Sequence, residues 1–119
     1  MGRYTRFDQV LIPASAVAGE NVPIAADVVN LDSKPIYISL AAEFDSSDFL
    51  MYPDYALVAP GETSFGGFFV MPSKAVRVTL YLYYWDGNDW ILDGQLNWDV
   101  SLQQAAPLFS ELTASYAKA

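Results

Sequence analysis

Ala75-Val76-Arg77-Val78-Thr79-Leu80-Tyr81-Leu82-Tyr83-Tyr84-Trp85, followed by Asp86-Gly87-Asn88-Asp89 and by Trp90 to Leu102, carries the clearest hairpin signal in the chain. Val76, Val78, Leu80, Leu82 and Tyr84 alternate with Arg77, Thr79, Tyr81, Tyr83 and Trp85. Successive side chains of a strand point to opposite faces, so the first set is expected to line a core and the second to point away from it. Leu96, Trp98, Val100 and Leu102 alternate in the same way with Gln95, Asn97, Asp99 and Ser101. The short polar residues and the glycine of 86–89 supply the reversal between the two strands. Asp93-Gly94, inside the second strand, predicts a bulge that shifts side-chain register.

Upstream of this hairpin the same signals recur. Thr5 to Ile12 reads as a first strand at a sheet edge, closed by Pro13. From Asn21 to Asn30, Val22, Ile24, Ala26 and Val28 alternate with Pro23, Ala25, Asp27 and Val29. Turn residues 30–34 follow, and Pro35 can open the strand Ile36 to Phe44 without removing a ladder bond. Phe49 to Asp54 reads as a crossing loop or short edge strand with apolar anchors, and Tyr55 to Val58 as a short extended piece. Pro60-Gly61-Glu62 turns the chain into Thr63 to Met71, where Gly66-Gly67 marks a bulge or a close backbone approach. About seven short strands with turn signals at this spacing predict an all-β, antiparallel sandwich. The tail breaks the pattern. Pro107 suits a helix's first turn, and Leu108, Phe109, Leu112 and Tyr116 fall at helical spacing, so 105–119 is expected as a short amphipathic helix following a sandwich over 1–104.

Composition narrows the function classes. A length of 119 residues suits one core, and a hydrophobic share of 53% against 17% charged excludes a disordered chain. No apolar run approaches the length of a membrane-spanning helix, so no membrane partner is expected. Arg3 and Arg6 have no apolar segment behind them, because Asp8 and Gln9 interrupt before Val10, and no secretion signal is expected. With no cysteine and no histidine there is no thiol nucleophile, no disulfide, no imidazole base and no soft-metal ligand set. The formal charge of −8 would repel phosphate backbones, so nucleic acid is not an expected partner.

Fourteen acidic side chains invite a carboxylate-pair hydrolase, but Asp45, Asp48, Asp86, Asp89 and Asp93 sit in turns, where short side chains bind backbone groups. Asp86-Gly87-Asn88-Asp89 lacks the spacing of an EF-hand loop. The serines have neither a histidine to activate them nor a nucleophile elbow around them. No enzyme, cofactor or metal is expected. Two features point to binding instead. Tyr81, Tyr83 and Trp85 share the outer face of one strand, with Tyr37 expected on a neighbouring strand and Trp90 across the turn. Aromatic residues with few charges suit an interface core, and a flat Tyr/Trp platform stacks on sugar rings. Leu108, Phe109, Leu112 and Tyr116 would form the second contact surface, docked on the chain's own sandwich or on a neighbouring subunit.

The stretch Gly19 to Leu102 resembles the prokaryotic immunoglobulin-like sandwiches of the CARDB and fibronectin type III kind. The residues that carry the resemblance are Ala18-Gly19-Glu20-Asn21-Val22 leading to Val28-Val29-Asn30, the turn Ala59-Pro60-Gly61-Glu62-Thr63, and Phe68-Phe69-Val70-Met71-Pro72 before the long strand pair. The Cys…Trp…Cys pattern of antibody domains is missing. The resemblance implies a module like those found in surface proteins and in tailed-phage virion proteins, where they decorate capsids or tails. The expectation is therefore a virion structural protein, a capsid or tail decoration subunit that contacts copies of itself or the major capsid or tail proteins. The alternative is a carbohydrate-binding or adhesion module at an extracellular surface, with Tyr81, Tyr83, Trp85 and Trp90 as its sugar platform.

Overall fold

Alternation of apolar and polar residues becomes alternation of buried and exposed side chains in the computed structural model, which describes residues 3–45 and 47–103. The strands are β1 (Thr5–Leu11), β2 (Ser15–Val17), β3 (Asn21–Asn30), β4 (Ile36–Phe44), β5 (Ser47–Phe49), β6 (Met51–Tyr52), β7 (Ala56–Val58), β8 (Gly61–Val70), β9 (Val76–Trp85) and β10 (Trp90–Gln103). They form two sheets. One has the order β1-β3-β8-β6, and the other β2-β10-β9-β4-β5 with β7 also pairing β4.

Val22, Ile24, Ala26 and Val28 from β3 and Phe65 and Phe69 from β8 meet Ile38, Leu40 and Ala42 from β4 and Val76, Val78, Leu80 and Leu82 from β9. Apolar faces a period of two residues wide thus close on each other, each fully buried Val, Leu or Ile contributing about 1.5–3 kcal/mol. Phe44 stacks on Phe69 with ring centroids 4.5 Å apart, and Phe49 leans on both, sealing one end of the core. The turn after β3 is held by Asn30, whose amide donates to the carbonyls of Lys34 and Val58 and whose oxygen accepts from the N–H of Asp32.

The predicted all-β sandwich is present, with differences in detail. The segment after Phe44 crosses between the sheets: β5 pairs with β4 and β6 pairs with β8. Short pieces of this kind raise the strand number above the expected seven. The pairing is not wholly antiparallel, because β2 runs parallel to the last residues of β10, with Leu102 opposite Ala16. Ser15–Val17 follows Pro13 and is too short for the polar-apolar alternation that marks the long strands, so it carries no strand signal in the sequence. Gly66 and Gly67 keep a regular register with β3 rather than forming a bulge, and Gly67 serves a close approach: a Cβ there would collide with the carbonyl oxygen of Leu50 on the crossing segment. Of the inward-phased residues of β10 only Val100 is buried, because just the three-residue β2 lies beyond that strand. The helix expected over 105–119 lies outside the described residues. Among the described residues no helix is long and apolar enough to cross a membrane.

Candidate functional site: the outer face of the larger sheet

Cross-strand pairing sorts the outward residues of β4, β9 and β10 into rows. At the hairpin end Trp85 pairs with Trp90, and Tyr37 pairs with Leu57 on β7. Ile38 pairs with Tyr84, so one position further along the same register Tyr37 comes opposite Trp85. The next row is Ser39, Tyr83 and Leu92; after it come Ala41, Tyr81 and Gln95, then Glu43, Thr79 and Asn97, and last Arg77 with Asp99. Residues directly opposite on one face of a sheet are within side-chain contact, so each row is a physical unit.

The rows differ in how far their side chains satisfy one another. At the far end Arg77 Nε donates to Asp99 Oδ1 at 3.0 Å and Thr79 Oγ1 lies 3.0 Å from Asn97 Oδ1. The Tyr81 hydroxyl donates to Glu43, and this bond, with some desolvation and the Glu43 charge, holds the phenol above its ordinary pKa of 10.0. At the hairpin end the rings contact mainly each other. Trp85 and Trp90 meet edge to face at 5.3 Å, Trp90 lies 6.2 Å from Tyr55, and Tyr55 lies 6.0 Å from Tyr37. Despite these contacts Tyr37 is 42% exposed, Trp85 36% and Trp90 40%, which leaves apolar ring surface in water.

Local structure holds these rings in place. Asp86 N–H donates to the Asp89 carbonyl, and Asp86 Oδ1 accepts the N–H groups of Asn88 and Asp89 at 2.8 Å. Gly87 adopts φ +107°, which a side chain would strain, so the reversal keeps Trp85 and Trp90 side by side. Ser39 Oγ donates to the Asp54 carbonyl at 2.8 Å and ties the segment carrying Tyr55 over the sheet. A recess of about 310 Å³ results, lined by Tyr37, Tyr55, Trp85 and Trp90. A neighbouring recess of about 230 Å³ is lined by Ser39, Ala41, Tyr83 and Trp90.

The structure therefore brings together Tyr37, Trp85 and Trp90, sets Tyr83 beside them, and places Tyr81 in the satisfied part of the face. Sequence reading missed Tyr55, which lies in a segment with no two-residue period, and also Leu57 and Leu92. Leu108, Phe109, Leu112 and Tyr116 lie outside the described residues. Of the acids predicted to serve turns, Asp45 and Asp86 bind backbone groups: Asp45 Oδ1 accepts the N–H of Arg77, and Asp86 acts as above, whereas Asp48 lies within β5. The bulge at Asp93 is also present, as a register shift between Leu92 and Gly94. It has a further use. The Asp93 carboxylate accepts the N–H groups of Arg3, Tyr4 and Thr5 and the hydroxyl of the fully buried Thr5, at 2.7–2.9 Å. Burial pushes its pKa up, but these donors more than reverse that and hold it below the ordinary value.

The other sheet carries a different cluster on its outer face. One carboxylate oxygen each from Asp8, Asp27 and Glu62 lie within 4.8 Å of one another, and among the described residues these are the side chains that could share a cation. Phe7 pairs with Val28, so the next residue of β1, Asp8, comes opposite Asp27, while Ser64 Oγ donates to Asp27 at 2.6 Å. A hydrogen bond with Asp8 pushes the Glu62 carboxyl up, with desolvation and the charges of Asp8 and Asp27 adding to it.

The fold matches that of solved structures. The CARDB domain of a Pyrococcus furiosus protein, solved in complex with di-metal ions, superposes with a TM-score of 0.63 at 10% identity, over 86% of this chain and 96% of that one. The fold is immunoglobulin-like. A similar fold occurs in Escherichia coli alpha-2-macroglobulin: a C-terminal portion matches with a TM-score of 0.64 at 17% identity over 85% of this chain, and the native molecule with 0.63 at 18% over 86%. This chain spans only 17% and 7% of those two structures. No family model matches the sequence, and neither does any curated protein.

Proposed function

We propose that this immunoglobulin-like chain is a binding and assembly module that catalyses nothing and holds a partner protein on the aromatic end of its larger sheet. One observation carries the reading: Tyr37, Tyr55, Trp85 and Trp90 are gathered from separate segments into one place yet remain about two-fifths exposed or more. Aromatic side chains that are half-buried in a free domain are the usual anchors of an interface. The absence of histidine and cysteine, and the engagement of Asp45, Asp86 and Asp93 with backbone donors, support the non-catalytic part. The finer form of the proposal is a capsid or tail decoration subunit of a virion that contacts copies of itself or the major capsid or tail proteins.

The test is sedimentation of the purified chain alone and with candidate particles, beside a Trp85→Ser, Trp90→Ser variant. Self-association or particle binding that the variant loses supports the proposal. A chain that stays monomeric and free in every mixture removes it. A second reading, a carbohydrate-binding or adhesion module at an extracellular surface, is favoured by the recess lined by the aromatic Tyr83 and Trp90 and the small Ser39 and Ala41. Glycan-array binding abolished by Trp90→Ala would decide for it.

A further inference from the structure

We infer that the recess between Tyr37, Tyr55, Trp85 and Trp90 is a site for a quaternary ammonium group, the cationic head of a choline-like small molecule. The inference uses the same residues as the partner-binding reading but commits them to a ligand class.

The first argument is the lining. All four side chains around the recess are aromatic, and its volume of about 310 Å³ leaves room for a trimethylammonium head. Ring faces carry negative quadrupole density and attract a cation placed within about 6 Å of the centroid. The second is ring orientation. Successive rings are inclined at 71°, 50° and 62°, so they form a cup rather than a plane. A sugar ring stacks best on a flat surface, whereas a tetrahedral cation meets several inclined rings together.

Charge supplies the third argument. Asp32 and Asp86 line an adjoining groove that shares Tyr37 and Trp85, and Asp54 and Asp89 are the chain neighbours of Tyr55 and Trp90. Hydrogen bonds from the Asp89 and Asn88 backbones hold Asp86 below the ordinary carboxyl pKa, so it stays charged at neutral pH. Against these acids stand Lys34, in the same groove, and Arg3, which lies over Tyr4 at 5.4 Å. The local balance, like the formal charge of −8, favours a cation.

The lining also selects among cations. It contains no carboxylate to pair with a primary ammonium, whose N–H donors would find only the phenol oxygens of Tyr37 and Tyr55 in place of their water. A quaternary ammonium has no N–H and a weak hydration shell, so it enters the cup with little loss. The bond from Ser39 to the Asp54 carbonyl and the hairpin closed by Asp86 hold the walls before any ligand arrives, which limits the ordering entropy of binding.

The test is a titration of the full chain with choline, followed by tryptophan fluorescence at constant ionic strength, in parallel with the uncharged tert-butyl analogue of choline. Saturable quenching by choline is expected, with the neutral analogue at least about tenfold weaker. Tyr55→Ala removes one wall far from the core, and it should weaken choline by about tenfold while leaving the thermal melt in place. Equal binding of the neutral analogue, or no saturable response, overturns the inference. Tyr55→Ala binding choline as well as the parent chain does so too. A chain that binds particles through Trp90 yet ignores choline would sink this inference alone and leave the partner-binding reading standing.

Discussion

The two ends of one sheet face make an instructive pair. Both are built by outward residues of β4, β9 and β10, set by the same alternation and backed by the same core. At the Arg77 end polar side chains pair within the face: Arg77 with Asp99, Thr79 with Asn97, Tyr81 with Glu43. At the Trp85 end the rings touch one another and still leave a third or more of their surface in water. The first end is rich in side-chain hydrogen bonds, and the second leaves apolar ring surface in water, which is what the proposed partner would cover.

The most severe way to break the comparison is from beneath. Leu82 is fully buried under the hairpin half of the face, and Leu82→Ala should destabilise the domain by about 3 kcal/mol through lost burial and a residual cavity, read by urea denaturation. Both ends of the face would suffer alike, since they share this support. Next comes Asp93→Ala, which leaves the buried Thr5 hydroxyl and three backbone N–H groups without their acceptor; a loss of about 2 kcal/mol is expected. Because the folded-state pKa of Asp93 is lowered, its contribution is present above the unfolded value and fades as pH falls through the folded one. The parent chain should therefore lose stability toward acid more steeply than Asp93→Asn in thermal melts.

Smaller effects sharpen the contrast between the ends. Trp90→Ala removes one ring of an exposed edge-to-face pair, so stability should fall by only about 1 kcal/mol while partner binding in the sedimentation assay is lost. Tyr81→Phe is the converse at the satisfied end: binding should persist, and the change should appear in the alkaline limb of the stability profile. The raised phenol pKa means that its contribution is intact below the unfolded value of about 10 and lost as pH rises through the folded one. Melting temperature against pH should fall more steeply above that point for the parent than for Tyr81→Phe.

Much of this was readable before any coordinates. The alternation in 21–30 and 76–85 assigned the buried faces correctly, the polar residues at 86–89 marked the reversal, and Asp93-Gly94 marked the bulge. Reading was weaker wherever the residue that matters belongs to no periodic run. Tyr55 joins Trp90 only because the segment after Phe44 crosses between sheets and is tied back by Ser39. Asp8, Asp27 and Glu62 are far apart in the chain and meet only because β1, β3 and β8 are neighbours in one sheet. The same limit explains why Asp93 read as a bulge residue alone: its donors are at the other end of the chain.

By its sequence this protein was committed to be an all-β chain with a defined inside and outside, because strand formation and burial answer to local period and turn chemistry. Which outward residues stand side by side was left to the tertiary structure. Strand order, register and crossing points are set by packing between segments distant in the chain, and it is those that turned Tyr37, Tyr55, Trp85 and Trp90 into one aromatic cup.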